Sequence, residues 1–188
     1  MKQTNKTRLL VLTALFAALT FLGTRINIPL GMNNRIVHLG DAMVYLSACI
    51  LPLPYAMASS AIGAGLSDFT TPGCMIWVLP TMVIKPLLVT FFTSKQYKIA
   101  NKRNIVAVFL AGITGCIAYA IVEGLIYGNM LAAFIGIPAG ALQPIGSGIL
   151  FMALAVAFDN MKLKNHLNLN QDFNAGGKKE KEVRGKIA

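Results

Sequence analysis

From Ala42 to Leu66 the chain carries no charged residue, and from Ile105 to Tyr127 it carries only Glu123. A helix needs about 20 consecutive apolar residues to cross the hydrocarbon core of a bilayer. Three further runs share this character: Leu9–Thr24 has no charge, Met75–Thr93 has only Lys85, and Ala139–Met161 has only Asp159. In lipid, backbone N–H and C=O groups have no water to turn to, so such runs must close their hydrogen bonds internally, as helices. The chain therefore reads as an all-α, polytopic membrane protein. Its 13% of charged residues sets it apart from soluble domains, which carry about a quarter.

One ambiguity governs the topology. Ala42–Leu66 is long enough for a single span, but Pro52 and Pro54 lie inside it, and neither suits a helix interior. One reading gives five spans and the other six. The net charge of +10 decides between them. It does not lie along one face, as it would for a nucleic-acid partner, and none is expected. It sits in blocks: Lys2, Lys6 and Arg8; Lys95, Lys98, Lys102 and Arg103; and the tail from Lys162 to Lys186. All three blocks fall on one side only if six helices are drawn, as the positive-inside rule requires. The reading is six transmembrane helices with both termini cytoplasmic. They run over Leu9–Thr24, about His38–Leu51, Tyr55–Asp68, Met75–Thr93, Ile105–Tyr127 and about Ala139–Met161, with a loop over 25–37. Pro80 and Pro86 are expected to kink the fourth helix. Residues 1–164 form the membrane domain. Residues 165–188 form a polar cytoplasmic tail with too little apolar surface to fold, hence disordered.

Six alternating helices give every residue a height. Arg25, His38, Asp41, Asp68, Trp77, Glu123, Tyr127 and Gln143 all fall in the outer half, and Lys85 lies two to three turns deeper than Trp77. His38, Asp41 and Tyr45, at i, i+3 and i+7, share one helical face. Charges inside a bilayer are costly and normally pair or line a cavity, so a shared, outward-facing pocket for a small polar solute accounts for them together. Plainer roles stay open: Asp41 and Asp68 as interfacial caps, Trp77 and Tyr127 as belt aromatics, and Lys85 paired with Glu123. The first loop, with Asn34 and Arg35, is either a lid or a connection.

Other chemistry is not encoded. There is no G-x-x-x-x-G-K-[ST] for ATP, no H-E-x-x-H and no G-x-S-x-G. His38 and His166 fall on opposite sides of the membrane, so no metal site is expected. Cys49, Cys74 and Cys116 have no close spacing and read as small buried residues. Ala14 and Ala18, four apart in the first helix, allow a close helix–helix approach. Gly63 with Ser67, and Gly112 with Cys116, offer the same for internal packing.

Several of these segments resemble a known family. They are Ala14-x-x-x-Ala18, then Val37-His-Leu-Gly-Asp-Ala42 opening the second helix and Gly63-x-Gly-x-x-Asp68 closing the third. Trp77-x-x-Pro80-Thr and Ile84-Lys85 follow in the fourth. Together, over about residues 8–160, they resemble the substrate-binding S-components of energy-coupling-factor (ECF) vitamin transporters. The likeness is closest to the hydroxymethylpyrimidine, pyridoxine or riboflavin subgroup.

The resemblance implies a bacterial, multi-pass cell-membrane protein that captures a vitamin from outside. It implies docking on an ECF module of one transmembrane scaffold protein and two ATPases, and toppling in the lipid to release the vitamin inward. ATP is then bound by the partners. This chain is not an enzyme and needs no cofactor. Ala14 and Ala18 would meet the scaffold. Asn34, Arg35, His38, Asp41, Tyr45, Asp68, Trp77, Lys85, Glu123, Tyr127 and Gln143 are the candidate substrate contacts. Charges of both signs beside Trp77, Tyr45 and Tyr127 suit a small polar aromatic ring. Pyridoxine or hydroxymethylpyrimidine is therefore expected ahead of riboflavin, which would want a larger apolar cleft. The alternative, a self-sufficient ion-coupled carrier, would need an inverted repeat, and none is visible. A membrane-embedded enzyme would have only His38 and Asp41 as a reactive pair.

Overall fold

The computed structural model describes residues 2–29 and 36–167. Helix α1 (Lys2–Arg25) leads into two short antiparallel strands, β1 (Asn27–Pro29) and β2 (Ile36–His38), with Asn27 opposite His38. Then come α2 (Gly40–Ile50), α3 (Leu53–Thr70), a 3-10 turn at Met75–Trp77 and α4 (Val78–Val89). Helix α5 (Lys102–Tyr127) is followed by two short pieces, α6 (Met130–Ile135) and α7 (Ile137–Gly140), then α8 (Leu142–Asn160) and α9 (Leu163–His166).

The two prolines do break the Ala42–Leu66 run. Leu51 is extended, at ψ 154°, because the residue before a proline is pushed out of the helical region. Pro52 is extended as well, at ψ 146°, while Pro54 sits in the first turn of α3, where a missing N–H costs nothing. The chain reverses there, and contacts at the far end show it. Leu39 N–H donates to the Gly23 carbonyl at 3.1 Å, and Arg25 Nη1 donates to Thr71 Oγ1 at 3.0 Å. The ends of α1 and α3 and the start of α2 therefore lie together, so α1 and α3 run one way and α2 the other.

The opposite end is tied just as firmly. Asp159, near the end of α8, accepts from the N–H groups of Ile99 and Ala100 at 2.7 and 2.9 Å. Lys164 Nζ donates to the carbonyls of Ser94 and Gln96 at 3.1 and 2.8 Å, and burial pushes its pKa below the ordinary lysine value. Asn104, fully buried, bridges Thr93 and Ile99. This clamp gathers the 94–101 segment, the start of α5 and α9 at one end, where Lys6 and Arg8 of α1 also lie. The three basic blocks, as far as they fall within the described residues, share that end.

Close packing relies on small residues. A Cβ on Gly40 would stand 2.1 Å from Thr24 Oγ1, and one on Gly63 would stand 2.4 Å from the Ala17 carbonyl oxygen. Helix α1 thus crosses α2 and α3 at near-backbone distance. Helix α2 is enclosed by α1, α3, α4 and α8, and all of its residues except Met43 are buried. The outward faces are apolar. Leu10, Val83, Phe109, Ile113, Leu125 and Ile149 are each more than half exposed, which water would penalise and lipid does not.

Three stretches, Lys6–Arg25, Lys102–Tyr127 and Ile137–Asn160, are long and apolar enough to cross a membrane unaided, whereas Gly40–Ile50 and Met75–Val89 are shorter. At about 1.5 Å per residue, α2 spans roughly half of a hydrocarbon layer about 30 Å thick. Its enclosure explains how it can be so short, since its ends meet protein.

Four expectations need correction. The 25–37 stretch is not a plain loop but carries the β1–β2 pair. The second helix starts at Gly40, leaving His38 at the end of β2. The fourth ends at Val89, not Thr93, because the chain must turn early to enter the Asn104–Asp159–Lys164 clamp. The last is divided, with α7 set off from α8.

Candidate substrate-binding site

Asp41 stands in the first turn of α2, and Lys85 in α4 ends against it as a buried ion pair between one carboxylate oxygen and Nζ. Lys85 is 3% exposed and Asp41 4%. A charge at this depth persists only because the other is there. From α8, Gln143 Nε2 donates to the second Asp41 oxygen at 3.0 Å, and it lies 3.1 Å from His38 Nε2. Ser147, one turn further along α8, donates to the His38 carbonyl at 3.3 Å. Two helices besides α2, and the end of β2, thus converge on one carboxylate.

The Gln143 amide fixes the histidine. Its nitrogen carries two N–H groups, one spent on Asp41 and the other directed at His38 Nε2. That ring nitrogen must accept, so the proton sits on Nδ1. Nδ1 is buried with no hydrogen-bond partner among the described residues, and the same is true of the Tyr45 hydroxyl.

An aromatic wall adjoins the ion pair. Lys85 Nζ lies 5.2 Å from the centre of the Tyr119 ring, a cation–π distance. The Tyr119 hydroxyl donates to Thr81 Oγ1 at 3.2 Å, and Asp68, at the end of α3, neighbours Thr81. Trp77 lies 6.1 Å from Tyr119 and 6.5 Å from Tyr127, ring to ring. Tyr127, 65% exposed, forms the rim.

The structure therefore brings together His38, Asp41, Lys85 and Gln143, and joins Asp68, Trp77 and Tyr127 to them through Thr81 and Tyr119. Tyr45 shares the face of Asp41 but points into the core, stacked on Phe92 at 4.8 Å and edge-on to Phe151 at 5.9 Å. Lys85 pairs with Asp41 and not with Glu123, as the helix heights had also allowed. Glu123 is half-buried on the α5 face that carries Tyr119 and Tyr127. Asn34 and Arg35 lie outside the described residues. Ala14 and Ala18 are exposed on α1, while Ala17 between them is buried against α3.

Sequence reasoning missed Thr81, Tyr119 and Ser147. Helical spacing held the signal: Thr81 is four residues before Lys85, Tyr119 four before Glu123, and Ser147 four after Gln143.

Over residues 4–160 the sequence matches the family model described as ECF-type riboflavin transporter, S component. The chain belongs to that family. Among curated proteins and solved structures, none matches it. The matched span runs from α1 through α8 and includes every residue of the polar cluster. As an S component, the chain is the substrate-binding part of an ECF transporter, and its apolar outer faces are those of an integral membrane protein.

Proposed function

We propose that this S component binds a small, water-soluble heteroaromatic vitamin at the His38–Asp41–Lys85–Gln143 cluster, from the outer side of a bacterial cell membrane. It delivers the vitamin by docking and toppling on a module of one scaffold protein and two ATPases. The observation that carries the reading is the convergence of β2, α2, α4 and α8 on one buried ion pair beside Trp77, Tyr119 and Tyr127. Polar groups this expensive in lipid are retained where a ligand or path needs them. Substrate contacts are proposed for Asp68, Trp77, Glu123 and Tyr127 in the surrounding wall, for Tyr45 at the core side of Asp41, and for Asn34 and Arg35 in the first loop.

Riboflavin comes first as substrate, because the matched family description names it. Pyridoxine or hydroxymethylpyrimidine is the second reading, favoured by how tightly the charged groups cluster. Isothermal titration of the purified protein with all three decides the matter. One of them should bind with sub-micromolar affinity; if none does, the site reading falls.

Six membrane crossings, with both termini and the basic end cytoplasmic, complete the proposal. The support is the common end shared by the basic blocks. Single cysteines placed between 95 and 104 should react with an impermeant maleimide only after the membrane is opened. Cysteines between 26 and 35 should react in intact cells. Labelling of the 95–104 segment from outside would overturn the topology.

A further inference from the structure

We infer that His38 is the specificity-determining residue of this site: its buried Nδ1–H reads a hydrogen-bond acceptor on the ligand ring. The inference rests on the reading of this cluster as the substrate site, and deepens it by naming the ligand's chemistry.

The geometry supplies each step. Gln143 donates to both Asp41 and His38 Nε2, which holds the imidazole in the Nδ1–H tautomer and fixes the ring's direction. Both Asp41 oxygens, Lys85 Nζ, and the Thr81 and Tyr119 hydroxyls have partners. Within the cluster, His38 Nδ1 and the Tyr45 hydroxyl stand apart, buried with no hydrogen-bond partner among the described residues. A buried donor left unmade is costly, and in a binding site its natural complement is an acceptor that arrives with the ligand. Because Nδ1 is a donor, the complementary atom is a ring carbonyl oxygen or ring nitrogen, not an N–H.

The test is titration of the purified full-length chain with riboflavin, pyridoxine and hydroxymethylpyrimidine. It is done on wild type and two variants whose melting temperatures are measured alongside. His38→Gln puts an amide near Nε2 and removes the Nδ1 donor. His38→Asn puts an amide N–H near Nδ1. For the ligand that wild type binds, His38→Gln should lose about tenfold or more in affinity, in line with a lost specific hydrogen bond, and His38→Asn should lose clearly less. Wild-type affinity in a folded His38→Gln, or a His38→Asn as weak as His38→Gln, overturns the donor argument and leaves the site itself standing. If folded wild type binds none of the three, the site reading fails and the inference with it.

Discussion

Lys85→Met should destabilise the folded chain by about 3–5 kcal/mol, because it leaves the Asp41 carboxylate buried without its counter-ion. The pair bridges α2 and α4 at 3% and 4% exposure, and Gln143 alone would remain to satisfy the acid. Methionine fills nearly the same volume as the lysine stem, so the loss would report charge and not a cavity. Removing the orphaned charge as well, in Asp41→Asn/Lys85→Met, should restore much of the stability. Removing both partners of a buried pair is far less damaging than removing one. Apparent melting temperatures in one detergent at one scan rate are the measurement. A single variant that melts with wild type would mean the pair contributes little. A double variant no better than the single would place the cost in packing.

The second large effect is on transport. Ala14 and Ala18 are exposed on α1, whereas Ala17 packs under Gly63. A tryptophan at either exposed position faces lipid in the isolated chain, and lipid adjusts around it. If that face meets a scaffold helix, the same bulk stands where two backbones must approach closely. Ala14→Trp and Ala18→Trp should therefore bind vitamin as wild type does. They should nonetheless drop ATP-driven uptake to near background and fail to co-purify with the scaffold. Normal uptake with both tryptophans present would remove the docking face. Ala17→Trp is the contrast: it invades the α1–α3 crossing and should lower stability itself.

Much of this was legible in the sequence, and the misses have physical causes. The helices follow from apolar runs, and the reversal at Leu51–Pro54 follows from two prolines, both local signals. That His38, Asp41 and Gln143 come together at one end followed from the alternating direction of the helices. The partner of Lys85 did not. Asp41 and Glu123 were both at plausible depth, and choosing between them needs the rotation of each helix about its axis, which near-uniform apolar sequence does not specify. The β1–β2 pair is three residues a side, too short for an alternating pattern. The early end of α4 is dictated by Asn104, Asp159 and Lys164, residues distant in sequence that look like ordinary interfacial polar groups.

In a helix with one face in lipid, tolerance to substitution rises and falls about every 3.6 residues as side chains pass from protein to solvent. Helix α2 has no such rhythm. Met43 is its one partly open position, and Gly40 through Ile50 otherwise touch protein on every side. A saturation scan across the chain would therefore show a periodic trace over α1 and α5 and a nearly flat, intolerant band over α2. In that band Tyr45, Ser47 and Cys49 weigh as much as Asp41, although none of the three hydrogen-bonds to the ion pair.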